Sequence, residues 1–334
     1  MSSLRIAIIG CGRMGTQHAQ VAAQLGHRVA VACDTDPARA SALAQTHPGC
    51  AAATDPGEIR WSAIDAGFVC TPPFARGVAE LIAAQAGVPL FLEKPIGLSA
   101  SQCLPALSLF RASGTITSVG YMNRYRRSVQ RVRDFLKTEA VLGFVGHWVG
   151  AAYRVPWWAD PSLSGGQLNE QCTHLIDLAR YLVGEITEVS GFAQPLAEDG
   201  ARNAAVSVLL RLQNGALGTV LCGCVAKEKQ IGFRIFTPRG QLTLEGWDFR
   251  LAPIVELGDL PGVADEQDVF FSETSTFLAA VRSGDARGIC SDLADAMRTQ
   301  RVVDAARAAL ISGGRRAIGP ERTMEEVTHA FGPT

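Results

Sequence analysis

Three groups of residues in this 334-residue chain have types and spacings that could do chemistry. The first is Gly10-Cys11-Gly12-Arg13-Met14-Gly15, placed after the apolar run Leu4 to Ile9 and at the start of an Ala-rich helical pattern. In this spacing the first glycine permits a tight turn, the second lets the backbone approach a pyrophosphate, and the third lets helix and strand pack closely. The helix start offers unpaired N–H groups and partial positive charge to phosphates. Gly10, Gly12, Arg13, Met14 and Gly15 are therefore candidate cofactor-binding residues. Asp34, at the end of the second β-rich run, can accept from a ribose 2′-OH and would repel a 2′-phosphate, which favours NAD(H) over NADP(H). Arg39 nearby is the residue able to neutralise such a phosphate. The alternative is that three of 34 glycines fall in register by chance and that Asp34 merely opens a turn.

The second group is Glu93-Lys94-Pro95, directly after the run Val88 to Leu92. A parallel strand there puts Lys94 at its carboxyl edge, where ligands bind in open α/β sheets, and an ammonium at that edge can steady an alkoxide or polarise a carbonyl. A surface ion pair between Glu93 and Lys94 is the plainer reading. Thr71 and Pro72, after the preceding run, form a stiff loop on the same rim, suited to a nicotinamide pocket or to a simple turn. The third group follows Gly165-Gly166: Glu170 and His174 are spaced to share one helix face, with Asp177 three residues on. An imidazole with an ordinary pKa near 6.5 can take up or return a hydroxyl proton, and a neighbouring carboxylate can orient it. A polar pair on a solvated helix would show the same spacing.

The elements that must position these groups change character near residue 120. Before it, β-rich runs (Leu4 to Ile9, Val29 to Cys33, Ala66 to Cys70, Val88 to Leu92, Thr115 to Val119) alternate with Ala- and Leu-rich helical runs, the βαβ rhythm of a doubly wound parallel sheet. After it come a helical run near Ser128 to Thr138, a strand at Phe144 to Ala152, an irregular stretch with Trp157 and Trp158, and a helix from about Leu168 to Val183. Five β-like runs joined by turn signals such as Asn214-Gly215 follow, predicting a mainly antiparallel sheet with helices on one face. The expected division is a nucleotide-binding domain over 1–120 and a substrate-binding and oligomerisation domain over 121–334, with C-terminal helices packing back on the first. A net charge of −1 offers no field for nucleic acid or an anionic membrane, and 47% hydrophobic against 19% charged residues marks a folded chain. No apolar run reaches the ~20 residues a bilayer requires, and the first residues lack a cationic leader. Nine cysteines in no regular framework favour free thiols in a reducing cytoplasm and no structural metal.

Taken together, the glycine turn, the Asp34 turn, Glu93-Lys94-Pro95 and the glycine pair leading to His174 resemble the glucose–fructose oxidoreductase, inositol dehydrogenase and MocA family over nearly the whole chain. The resemblance implies an N-terminal Rossmann domain, a C-terminal α/β domain with an open, mainly antiparallel sheet, and homodimers or homotetramers built through that sheet. It implies hydride exchange between NAD(H) and a secondary alcohol or ketone of a sugar, cyclitol or related polyol. Lys94 matches the family's catalytic lysine, His174 its acid–base histidine, and Glu170 stands where many members have Asp. Cys172 replaces a usual glycine, and Arg76 replaces a frequent histidine. Arg124 aligns with an arginine often placed near the substrate, and Arg154, Trp157 and Trp158 are further candidate substrate contacts, the Trp pair serving equally as core anchors. Two other readings stay open: a relative that uses NAD transiently to break a glycosidic bond, and a non-catalytic NAD-binding regulator.

Overall fold

The computed structural model describes residues 3–196, 203–252 and 268–319. In the first unit, up to Gly120, the chain runs β1 (Arg5–Ile9), α1 (Arg13–Gln24), β2 (Arg28–Cys33), α2 (Pro37–Gln45), β3 (Ala51–Ala53), β4 (Ala66–Val69), α3 (Val78–Gln85), β5 (Leu90–Leu92), α4 (Ala100–Ser113) and β6 (Thr117–Val119). The six strands are parallel in the order β3-β2-β1-β4-β5-β6. Ile6 to Ile9, Ala66 to Val69 and Leu90 to Leu92 are buried without alternation, as strands covered on both faces must be. Ile9 pairs with both Cys33 and Val69, and Val69 with Leu92, so four strands end level. Gly10, Asp34, Cys70 and Glu93 thus leave the sheet along one edge. The short strand β3 was not expected: three alanines carry none of the β-branched or aromatic signal that marks a strand.

The second unit begins at Tyr121. It contains α5 (Arg127–Leu136), β7 (Gly143–Ala151), the single turn α6 (Pro161–Ser164), a π-helical turn over Leu168–Cys172, α7 (Thr173–Leu182), β8 (Ile186–Pro195), β9 (Asn203–Leu212), β10 (Leu217–Gly223), β11 (Val225–Thr237), β12 (Gly240–Glu245) and β13 (Arg250–Leu251). The chain then returns to the first unit with α8 (Val269–Ser283), whose Phe277 packs with Phe68 and Phe91 in that unit's core. Helix α9 (Leu293–Ser312) starts in the first unit and belongs to the second from Arg298, and β14 (Arg316–Ala317) joins the second sheet.

That second sheet has eight strands in the order β13-β12-β11-β7-β10-β9-β8-β14, antiparallel except for the pair β7 and β10. One face buries Phe144, Trp148, Val208, Val220, Phe233 and Ile235 against α5, α7 and the second half of α9. The register places Val145, Phe192, Leu209, Leu217, Leu221 and Phe236 on the other face, all exposed. Alternation between a packed and an open face follows from the two-residue period of a strand.

Candidate active site

The first unit assembles its candidates at the level strand ends. Gly10 has φ +92°, a conformation costly for any side chain, and a Cβ there would meet the backbone of Cys70 and Thr71 below 3.0 Å. A Cβ on Gly15 would lie 1.9 Å from the Gly10 carbonyl oxygen, so helix α1 can approach β1 this closely only at a glycine. Gly12 differs: a Cβ there meets nothing within 4 Å, so the protein itself does not need a glycine and the space beside that backbone is open. Asp34 accepts from the Cys11 amide (2.8 Å) and the Asp36 amide (2.9 Å), one on each carboxylate oxygen. This clamps the acid beside the glycine turn. The Thr71 hydroxyl on the same rim is buried and has no hydrogen-bond partner among the described residues. A glycine cradle with room at its middle, an oriented acid and an orphaned hydroxyl fit a dinucleotide.

Behind the rim lies a network that the residue pattern did not disclose. His18, on α1 and fully buried, bonds Thr274 through Nδ1 (2.7 Å) and Glu93 through Nε2 (3.0 Å), and its ring stacks on Phe68. Glu93 accepts from the amide of Lys94 with its other oxygen (3.1 Å). Arg76, buried, donates to the carbonyls of Val69 (2.9 Å) and Glu93 (2.6 Å), tying the ends of β4 and β5 together. Burial pushes the Glu93 carboxyl up, but the His18 hydrogen bond and the charges of His18, Lys94 and Arg76 outweigh it and hold it below the usual carboxylate range. Glu93 is therefore an ionised anchor for the Lys94 backbone. The Lys94–Pro95 peptide is cis, and the Lys94 side chain is half-buried. Cys11, in the glycine turn, is a thiol whose pKa burial, and then the Asp34 charge, push up to about 12.

In the second unit Gly165 and Gly166 take φ of +75° and +73° and turn the chain into the π-helical turn that carries Glu170, followed by α7 with His174. One continuous helix was expected over Leu168 to Val183; the wider turn at Leu168–Cys172 breaks its register, as π-turns do at functional sites. Glu170 and His174 are 6% and 5% exposed, which excludes the solvated-face alternative. The imidazole of His174 stacks on the indole of Trp148, centroids 5.2 Å apart and planes 11° from parallel. Beside it Thr173 shares a hydrogen bond with the Tyr121 hydroxyl (3.2 Å), whose pKa burial and then the Asp177 charge push up.

Asp177 has a different partner from the one its spacing suggested. The Arg124 guanidinium holds it bidentately (2.8 and 2.6 Å), both side chains being nearly fully buried, and the Thr299 hydroxyl donates a third bond (3.0 Å). Arg124, expected to meet substrate, is thereby tied to α7 through its Nε and one Nη. A carboxylate one helical turn along is drawn to the nearest buried cation, which sequence spacing does not show. The Arg154 side chain is exposed and Trp157 half-buried. Trp158 is buried edge-on against Tyr153 and lines a cavity of about 180 Å³ with Gly165, Gly166, Gln167 and Arg307, the position of a loop anchor.

The cysteine expectation is corrected as well. Cys172 and Cys222, both fully buried and 50 residues apart in sequence, form a disulfide between the π-helical turn and β10, with Cα atoms 6.0 Å apart. Spacing along the chain did not disclose the pairing, which arises from packing across the unit; among the described residues the other seven cysteines lie outside any disulfide. Among the described residues no helix is long and apolar enough to cross a membrane.

Comparison with known proteins gives matches over most of the chain. Residues 4–121 match the oxidoreductase family model with an NAD-binding Rossmann fold, and residues 137–243 match the GFO/IDH/MocA C-terminal domain. Inositol 2-dehydrogenase of Mycolicibacterium gilvum is 30% identical over 223 residues, spanning 64% of this chain and 63% of that protein. The crystal structure of a putative myo-inositol dehydrogenase from Sinorhizobium meliloti superposes with a TM-score of 0.79 at 23% identity, covering 95% of this chain and 100% of that one. A levoglucosan dehydrogenase in complex with NADH gives 0.83 at 18% identity, covering 96% and 100%.

Proposed function

Because the chain belongs to the GFO/IDH/MocA oxidoreductase family, we propose that it is an NAD-dependent dehydrogenase acting on a secondary alcohol, or the matching ketone, of a sugar or cyclitol. One observation carries the reading: the glycine cradle, Asp34, Thr71 and Lys94 stand along one edge of one parallel sheet, so a dinucleotide held by the first three brings its reactive end to an ammonium. Residues Gly10, Gly12, Arg13, Met14 and Gly15 hold the pyrophosphate, Asp34 the adenosine ribose, and Thr71, Pro72 and Glu93 the rim beside Lys94. Bound there, the nicotinamide supplies the hydride acceptor or donor. Lys94 donates to the substrate oxygen and stabilises its negative charge as it develops. His174 takes the hydroxyl proton in oxidation and returns it in reduction, and Glu170 relays or orients it. The stack on Trp148 keeps the imidazole in one plane, which shortens the search for a productive geometry.

Asp34 favours NAD(H), since a 2′-phosphate there would meet a carboxylate clamped by two amides. The exposed apolar face of the second sheet is the surface through which two copies associate, burying Val145, Phe192, Leu209 and Leu221. Arg154 and Trp157 remain the loop groups assigned to substrate. The test is a panel of cyclitols, sugars and glycosides with NAD+ or NADP+, followed by NADH absorbance and product analysis. NADH growth on a polyol, with Lys94→Ala lowering kcat at least ~10²-fold and leaving NADH affinity within a few-fold, supports the assignment. Glycoside cleavage without NADH growth replaces it with the transient-redox reaction, and an inert NAD complex across the panel rejects both.

A further inference from the structure

Resting on the role that the dehydrogenase reading gives His174, we infer that the Cys172–Cys222 disulfide positions its imidazole, so that reducing this bond slows proton transfer without loosening the dinucleotide. Cys222 on β10 is paired directly with Trp148 on β7, and residues opposite each other on adjacent strands present their side chains to one face. Trp148 carries the stacked imidazole of His174, and Cys222 carries the sulfur of Cys172, two residues before it. Two nearby positions of the chain are thus fastened to two neighbouring side chains of the sheet. One fastening is a ring stack, the other a covalent bond.

The two ends of the covalent link are not equally fixed. Strand β10 is hydrogen-bonded on both edges, to β7 and to β9, in an unbroken register from Leu217 to Gly223. Cys172 ends a π-helical turn entered through two glycines of positive φ. Both cysteines are fully buried, in the core that also holds Leu175, Ile176, Val206 and Val220. A dithiol reductant attacks the disulfide through its thiolate; once the mixed disulfide is resolved, two electrons and two protons have passed to the protein, leaving thiols at Cys172 and Cys222 and a disulfide in the reductant. Unbonded sulfurs need van der Waals separation, more room than a bonded pair. A close-packed interior resists that increment. The sheet holds β10, so the turn yields, carrying Glu170 with it and moving His174 across the Trp148 ring. Small misplacement of a reacting group costs turnover steeply, whereas the glycine cradle lies outside this core and keeps its hold on the dinucleotide.

The experiment equilibrates the full chain with oxidised glutathione or with dithiothreitol and reads the linkage by mass spectrometry of alkylated peptides. In protein carrying isotope-labelled histidine, the His174 ring resonance, assigned by its loss in His174→Gln, is compared between the two forms. NADH affinity, and kcat and KM on the polyol that the panel above identifies, are measured beside it. The inference expects a Cys172–Cys222 crosslink in the oxidised form, a His174 resonance that moves on reduction and returns on re-oxidation, and a kcat that falls at least ~10-fold while KM and NADH affinity change less than about threefold. Cys222→Ala gives the reduced-form resonance and rate in both conditions. Absence of the crosslink, a His174 resonance or a kcat indifferent to dithiothreitol, or a Cys222→Ala protein that still responds to it overturns the inference. A resonance that follows the redox state in a protein that oxidises no polyol counts against the dehydrogenase reading alone. Equal turnover in both forms, with the resonance fixed, counts against the positioning role alone.

Discussion

Replacing Arg124 by Met separates a structural role on Asp177 from a contact with substrate. In the structure its guanidinium is held on Asp177 through bonds of 2.8 and 2.6 Å, with side-chain exposures of 4% and 2%, and it also lies 4.7 Å over the Tyr181 ring. Removing one member of a buried ion pair costs about 3–5 kcal/mol because the other charge is left uncompensated. Asp177 retains the Thr299 hydroxyl at 3.0 Å, which argues for the lower half of that range. The expected loss is about 3–4 kcal/mol, and at roughly 2–4 °C per kcal/mol for a unit of this size the melting temperature falls by about 6–16 °C. The double variant Arg124→Met with Asp177→Leu removes the orphaned carboxylate and recovers most of the loss. Scanning calorimetry of the wild type and both variants, each with and without saturating NADH, measures this directly. A melting temperature within about 2 °C of wild type for the single variant, together with a large rise in KM, would place Arg124 against substrate and refute the role given to it here.

Two further outcomes follow from the first unit. Substituting Asp34 with Ala removes the acceptor for the Cys11 and Asp36 amides and the charge facing a 2′-phosphate, so the kcat/KM preference for NAD+ over NADP+ falls at least ~10-fold; unchanged discrimination would show that the preference lies elsewhere. Glu93 has its folded pKa below the unfolded value near ~4.3, so the stability it contributes is fully present above that pH and lost as pH falls through the folded value. Urea unfolding between about pH 5 and 3 is accordingly steeper in pH for the wild type than for Glu93→Gln, and parallel profiles would remove Glu93 from the acid transition.

The parts of this molecule legible in its sequence are those whose causes are local. The glycine turn could be read because the positive φ of Gly10 and the approach of Gly15 to the Gly10 carbonyl are local demands, even though Gly10 also faces the distant backbone of Cys70 and Thr71, and the parallel strands because burial on both faces leaves an unbroken apolar run. Lys94 could be placed on the rim because a strand end and a proline mark it. By contrast, β3 carries only alanines, and its pairing with β2 supplies what its composition lacks. The pairing of β7 with β10 is parallel and non-sequential, and no turn signal announces it.

The candidate site divides the same way, and the division says where its chemistry is controlled. The reactive types, an ammonium and an imidazole, are visible as residues, but what holds each of them is not. His18 lies three residues beyond Gly15 and reaches Glu93 across 75 residues, Trp148 reaches His174 across a sheet and a helix, and Arg124 reaches Asp177 across 53. The three-residue spacing put Asp177 beside His174; what it could not show is the buried Arg124 guanidinium that Asp177 binds, since a carboxylate out of water takes the strongest donor within reach. The candidate reacting groups are therefore legible as residue types, while what holds and orients them is set by packing between residues distant in sequence.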